Sequence, residues 1–188
     1  NVGYDKDAFL HYSDLGASYK SFEKAAKIAL NGKPSFDFPI EPEIEKHGKI
    51  KDFISANQKL LVQVTKEPIS SKGPKVTTEI TLPGRYLVLI PFSNKISVSQ
   101  KIEDPEEKNR LIRLIESIRP KNFGVIIRTV AQNRKVAELN QDLQELNEKW
   151  LSIYQRVKDV KPPKKILGEL NRASAIVRDL LNETFNSI

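Results

Sequence analysis

Seven apolar residues constrain this chain more than any other feature: Val136, Leu139, Leu143, Leu146, Trp150, Ile153 and Val157 follow one another at intervals of 3, 4, 3, 4, 3 and 4 residues. An α-helix, with its 3.6 residues per turn, lines up such a series on one face. A helix is therefore predicted from about Asn133 to Asp159, and its apolar stripe needs a cover. A second copy of the helix would cover it as a coiled coil. The protein would then be a non-catalytic helical assembly module whose positive charge only keeps it soluble. A sheet or another helix of the same chain covers it equally well, and this is the preferred reading, with Trp150 in the core.

The rest of the sequence supplies the material for such a cover. Asp104-Pro105-Glu106-Glu107 opens a helix, with Asp as cap, Pro in the first turn and Glu at the positive end of the dipole. Its apolar face is Leu111, Ile112, Leu114, Ile115 and Ile118, and Pro120 ends it. Phe22, Ala25, Ala26, Ile28 and Ala29 give helical spacing over residues 21–30, with Asn31-Gly32 as the stop. Ile50–Ala56 allows a helical turn or two, and residues 167–181 carry a last amphipathic pattern.

Strands are expected at Asn1–Tyr4, at Leu60–Val64 as a buried run, and at Phe123–Val130. Val76–Leu82 and Tyr86–Phe92 read as a hairpin around Pro83-Gly84-Arg85, the second strand apolar enough to be covered on both faces. Prolines 34, 39 and 42 make a surface loop, and Thr65–Lys75 a turn-rich basic one. Strands followed by helices indicate an α+β fold, a small sheet packed with helices.

Composition removes most chemistries. The 188 residues include no cysteine and only His11 and His47, so thiolate zinc sites, cysteine nucleophiles and histidine-based triads are excluded or improbable. The formal charge of +7 raises the prospect of a polyanionic partner without naming it. With neither a signal peptide nor a long apolar run, a cytosolic location is the default expectation. Methionine is missing even at position 1, so the chain is expected to be a piece of a longer protein.

Among charged groups, Glu41-Pro-Glu-Ile-Glu45 lies in a proline-rich loop, and Glu103–Glu107 is accounted for by the helix start. Ser70-Ser71-Lys72-Gly73 lacks the spaced glycine of a phosphate loop. Two features remain. Arg128-Thr129 closes an apolar strand and delivers a guanidinium and a hydroxyl to a sheet rim, where they suit a phosphate monoester. An arginine capping helix carbonyls or pairing with a surface carboxylate is the alternative. Phe9 follows a polar turn, and near Lys66 and Lys72 it can stack a nucleobase, although a core position is equally compatible.

These residues also carry a resemblance. Asn1–Leu10 resembles part of an OB-fold RNA-binding domain of the ribosomal-protein type. Gln63–Pro91, with Lys72-Gly73 and Pro83-Gly84-Arg85-Tyr86-Leu87-Val88, is similar to the ribonuclease E/G family, as is Gly124-Val-Ile-Ile-Arg-Thr129. The resemblance implies a partial OB-fold β-barrel over residues 1–78, with a helical and proline-rich insertion, and an α+β 5′-sensor domain over 79–188. It implies the RNA-binding and 5′-monophosphate-sensing part of a bacterial single-strand-specific endoribonuclease of RNA processing and decay. Arg128 and Thr129 would be 5′-phosphate ligands in a pocket shaped by Gly84 and Val88, and Phe9, Lys72 and Lys66 would contact RNA. The catalytic magnesium with its paired aspartates, the structural zinc and a homo-oligomeric state would belong to the complete protein. The fragment alone would be inactive.

Overall fold

The structure, a computed structural model, describes residues 1–30, 38–158 and 160–168. In chain order its elements are α1 (Tyr19–Leu30), β1 (Gln63–Lys66), β2 (Lys75–Thr77), β3 (Leu82–Pro83), β4 (Leu87–Pro91), β5 (Ile96–Val98), α2 (Pro105–Ile118), β6 (Phe123–Ile127) and α3 (Val136–Lys158). The fold is α+β, as expected. One sheet has the order β3-β4-β6-β5, and a separate ribbon pairs β1 with β2.

In the four-stranded sheet, β4 runs antiparallel to β3 and β6, whereas β5 runs parallel to β6. Parallel neighbours cannot be joined by a tight turn and need a crossover, which α2 provides. The start of α2 is the one read from sequence: the Asp104 carboxylate accepts the Glu106 N–H at 2.9 Å, with proline in the first turn. Helix α3 begins with half of a capping box, the Glu138 carboxylate accepting the Lys135 N–H at 3.0 Å.

The stripe on α3 is covered within the chain. Leu139, Leu143, Leu146, Trp150 and Ile153 are buried in a core shared with β4, β6, α2 and α1. Helix α1 brings Phe22 and two alanines, Ala25 and Ala29, whose small side chains allow close approach; Tyr154 of α3 donates to the Ala25 carbonyl at 2.7 Å. Phe22, Phe92 and Trp150 pack edge to face, with centroids 4.9–6.1 Å apart. Phe92 holds φ of 57°, a left-handed conformation that costs an L-residue about 1 kcal/mol. Burial of its ring between Phe22, Phe38 and Trp150 offsets that cost.

Several expectations are corrected. Residues 1–4 form no strand, and the chain bends over residues 3–6; this stretch has φ of +80° at Gly3, outside extended geometry. The run at 60–64 is not a buried strand: pairing starts at Gln63 and continues to Lys66, and Val64 is 53% exposed. Val76–Leu82 is not one strand of a hairpin. Val76 pairs with Val64 in the ribbon, and only Leu82–Pro83 pairs with β4. Strand β4 alternates, with Leu87, Leu89 and Pro91 buried on the helical side and Val88 and Ile90 half-buried, so helices cover one face and not both. β6 stops at Ile127, after which Thr129–Ala131 form a 3-10 turn. Ile50–Asp52 makes one such turn. Val136 stands at the first residue of α3 and is largely exposed. Of the last amphipathic pattern, Leu167 is exposed and residues 169–181 lie outside the described residues. Among the described residues before β3, the paired strands are the two of the ribbon, β1 and β2.

Candidate functional site

One end of the large sheet gathers the residues singled out for phosphate. Leu87 faces Ile127 in the β4–β6 register, and beyond that pair the Arg128 N–H donates to the Tyr86 carbonyl at 2.9 Å. This places Arg128 against the Gly84–Tyr86 turn. Its guanidinium donates through Nη1 to the Gly84 carbonyl at 2.7 Å and to the Arg85 carbonyl at 3.2 Å. Arg128 thus holds the carbonyls of a turn rather than of a helix, and these bonds fix where the cation sits. Thr129 opens the 3-10 turn, and its hydroxyl is 2.8 Å from the Ser99 hydroxyl, just past the end of β5. The chain turns immediately after the strand, so adjacent residues are not bound to opposite faces. Val88 lies one pair further in, opposite Ile126 on the face away from the helices. Gly84, Val88, Arg128 and Thr129 are therefore brought to the same end of the sheet.

Further groups that the sequence did not single out complete this end. The Asp142 carboxylate of α3 accepts backbone N–H groups from Arg85, Tyr86 and Leu87 at 2.8–2.9 Å. Arg85 and Arg134 both lie over the Tyr86 ring, 5.2 and 5.5 Å from its centroid. Glu138, which accepts from Lys135 N–H and faces Arg134 at 3.3 Å, has its pKa lowered, chiefly by the backbone hydrogen bond. Arg85 and Arg134 thus flank Tyr86, the residue whose carbonyl accepts the Arg128 N–H, and the Glu138 and Asp142 carboxylates lie among them.

The residues singled out for RNA lie on the ribbon. Phe9 bonds β2 from both sides, its N–H donating to the Pro74 carbonyl at 2.8 Å and its carbonyl accepting from Val76 N–H at 3.0 Å. Phe9 is 59% exposed, with the His11 ring 6.3 Å from its own, so it is not a core residue. Lys72 is exposed in the turn closed by its bond to the Ile69 carbonyl at 3.0 Å, two residues before Pro74. Lys66 is exposed opposite Lys75, which pairs with Asp14. Gly73 is required here, since a Cβ would sit 2.0 Å from the Asp7 carbonyl oxygen.

Among the described residues no three His, Cys, Asp or Glu side chains form a metal-binding group, and the chain has no cysteine. In the acidic stretches, Glu41 and Glu43 pair with Lys24 and Lys95, Asp104 caps α2, and Glu107 pairs with Arg110. No helix of the described residues is long and apolar enough to cross a membrane.

Comparison with known proteins gives the family. Residues 81–188 match the model of the Ribonuclease E/G family. The chain belongs to the ribonuclease E/G family. Over 188 residues it is 32% identical to Ribonuclease G of Escherichia coli K12, covering all of this chain and 35% of that protein. Ribonuclease G of Haemophilus influenzae gives the same identity and coverage. Ribonuclease E of Nostoc sp. is 34% identical over 189 residues, with 24% of its length covered. This ribonuclease E/G chain therefore spans about a third or less of these relatives.

Proposed function

We propose that the chain is the RNA-binding and 5′-end-sensing part of a bacterial single-strand-specific endoribonuclease, divided into a partial OB-fold to residue 78 and a 5′-sensor domain from 79. The observation that carries this reading is the meeting of Arg128 with the Gly84–Arg85 turn at one sheet end, where Thr129 follows it in the chain with its hydroxyl on that of Ser99. A guanidinium and a hydroxyl on rigid backbone suit a terminal phosphate, while Phe9, Lys66 and Lys72 on the ribbon suit the bases and phosphates of the following strand. Hydrolysis is assigned to the remainder of the complete, homo-oligomeric protein, together with any magnesium or zinc. A cytoplasmic setting in RNA processing and decay goes with that activity. Assembly through the α3 stripe is disfavoured, because that stripe is buried in this chain's own core.

The test is the affinity of the chain for one oligoribonucleotide bearing either a 5′-monophosphate or a 5′-hydroxyl. Wild type is expected to prefer the monophosphate. Arg128→Ala is expected to lose that preference, worth about 1.5–3 kcal/mol for hydrogen bonds to a charged group, and to keep its affinity for the hydroxyl end. Absence of a preference in wild type, or its survival in the mutant, overturns the sensor reading.

A further inference from the structure

We infer that Asp142 is a positioning residue of the proposed phosphate site: from helix α3 it fixes the Gly84–Leu87 turn whose carbonyls aim the Arg128 guanidinium. This rests on the reading of Arg128 just given and adds the element that makes its geometry rigid.

Three consecutive backbone N–H groups converge on one carboxylate. Arg85 donates to Oδ1 at 2.9 Å, and Tyr86 and Leu87 donate to Oδ2 at 2.8 and 2.9 Å. Asp142 is only 8% exposed, so water does not replace these bonds readily. On the other side of the same turn, the Gly84 and Arg85 carbonyls accept from Arg128 Nη1 and the Tyr86 carbonyl accepts from Arg128 N–H. The Gly84–Arg85 and Arg85–Tyr86 peptide groups thus face an anion through their N–H groups and a cation through their carbonyls. Anion and cation polarise the same peptides, so each bond strengthens the other.

Gly84 follows from this arrangement. A Cβ at that position would lie 2.5 Å from Asp142 Oδ1 and 2.7 Å from Oδ2. Glycine therefore serves the close approach of the carboxylate; its own N–H is committed to the Leu87 carbonyl at 2.8 Å. The three convergent N–H groups resemble an anion-binding nest, but Asp142 already fills it. An incoming phosphate is thereby directed to Arg128 and Thr129 instead of to the turn.

An asparagine at 142 keeps size and helix but offers one acceptor oxygen to three donors and points an amide N–H₂ at the rest. The turn loosens, and Arg128 loses a fixed pair of carbonyls. The experiment uses the full chain and two readouts. Nitrogen relaxation of the Arg128 Nε–H measures order at the guanidinium, and the affinity ratio for 5′-phosphate over 5′-hydroxyl oligoribonucleotide measures its use. In Asp142→Asn the Arg128 side chain is expected to become mobile and the ratio to fall about tenfold, while affinity for the hydroxyl end stays within about twofold. Gly84→Ala, which displaces the carboxylate without removing it, is expected to act in the same direction. Asp142→Glu is the milder variant should Asp142→Asn fail to fold, and is expected to give an intermediate loss. An Arg128 side chain as ordered in folded Asp142→Asn as in wild type overturns the inference. So does a parallel loss of affinity for both ends, which marks a merely structural residue. If wild type does not discriminate between the ends, the sensor reading falls, and the relaxation measurement still decides whether Asp142 holds Arg128.

Discussion

Replacing Glu107 by glutamine tests how helices α2 and α3 are joined. Glu107 is buried on α2, and its carboxylate accepts from Arg110 Nε at 2.6 Å, from Arg110 Nη2 at 2.8 Å and from the Asn133 N–H at 2.8 Å. Arg110 also reaches the Arg134 carbonyl at 3.2 Å, so the pair pins the approach to α3 from two directions. Glutamine keeps one acceptor oxygen and turns an N–H₂ toward a guanidinium. The Arg110 side chain is 40% exposed, so water recovers part of its loss. The Asn133 N–H and the remaining carboxylate contact are recovered less well. The expected cost is about 2–3 kcal/mol, which is roughly 4–12 °C in Tm for a chain of this size. The Arg110 hydrogen bonds hold the Glu107 pKa below its ordinary value. A carboxylate with a depressed folded pKa contributes stability above its unfolded pKa, and that contribution is lost as pH falls through the folded value. Urea melts of wild type and Glu107→Gln are therefore expected to differ most near neutrality and to converge in acid. A gap below about 0.5 kcal/mol at pH 7, or one unchanged with pH, refutes the reasoning.

Two further outcomes concern RNA. Lys72→Ala is expected to reduce the salt slope of single-stranded RNA binding by about 1, whereas Phe9→Ala is expected to cost about 1–3 kcal/mol with the slope unchanged. Because Phe9 is exposed, removal of its ring should leave the Tm where it was; a large drop in Tm would return Phe9 to a structural role. The purified chain is expected to leave a labelled single-stranded RNA intact in magnesium or manganese, checked by gel electrophoresis, and cutting that copurifies with the chain would contradict the division of labour proposed above.

What the sequence disclosed was whatever local chemistry decides. Asp104-Pro105 starts α2 because capping needs only neighbours, and the α3 stripe is regular enough to name Trp150 as core before any partner is known. Sheet membership is not local. Val76 and Leu82 lie in one apolar run, yet they pair in different sheets, and nothing within the run marks the division. The β-branched run ending at Val64 suggested burial, but of the two ribbon strands it is β2 that is buried, at Val76 and Thr77, whereas β1 is exposed from Val64 onward. Strand β5, Ile96-Ser97-Val98, was missed because three residues flanked by polar ones make no pattern; the α2 crossover pairs it with β6.

The candidate site was half legible for a related reason. Arg128 and Thr129 stood out because a charged fork after an apolar strand is visible in one dimension. Asp142 and Glu107 did not, although each left a trace: a charge on an apolar stripe. Asp142 stands between Leu139 and Leu146 on the buried face of α3, and Glu107 precedes Leu111 and Ile115 at intervals of four on α2. Desolvating a carboxylate is costly unless hydrogen bonds replace its water. Asp142 found three in backbone N–H groups of residues 85–87, and Glu107 found one at residue 133 beside those from Arg110 on its own helix. Such a charge implies a loop of the chain bound at that height on the helix. The loop at Asp142 is the one that holds Arg128, so the anchor of the site can be sought on α3 even though the site itself is built on the sheet.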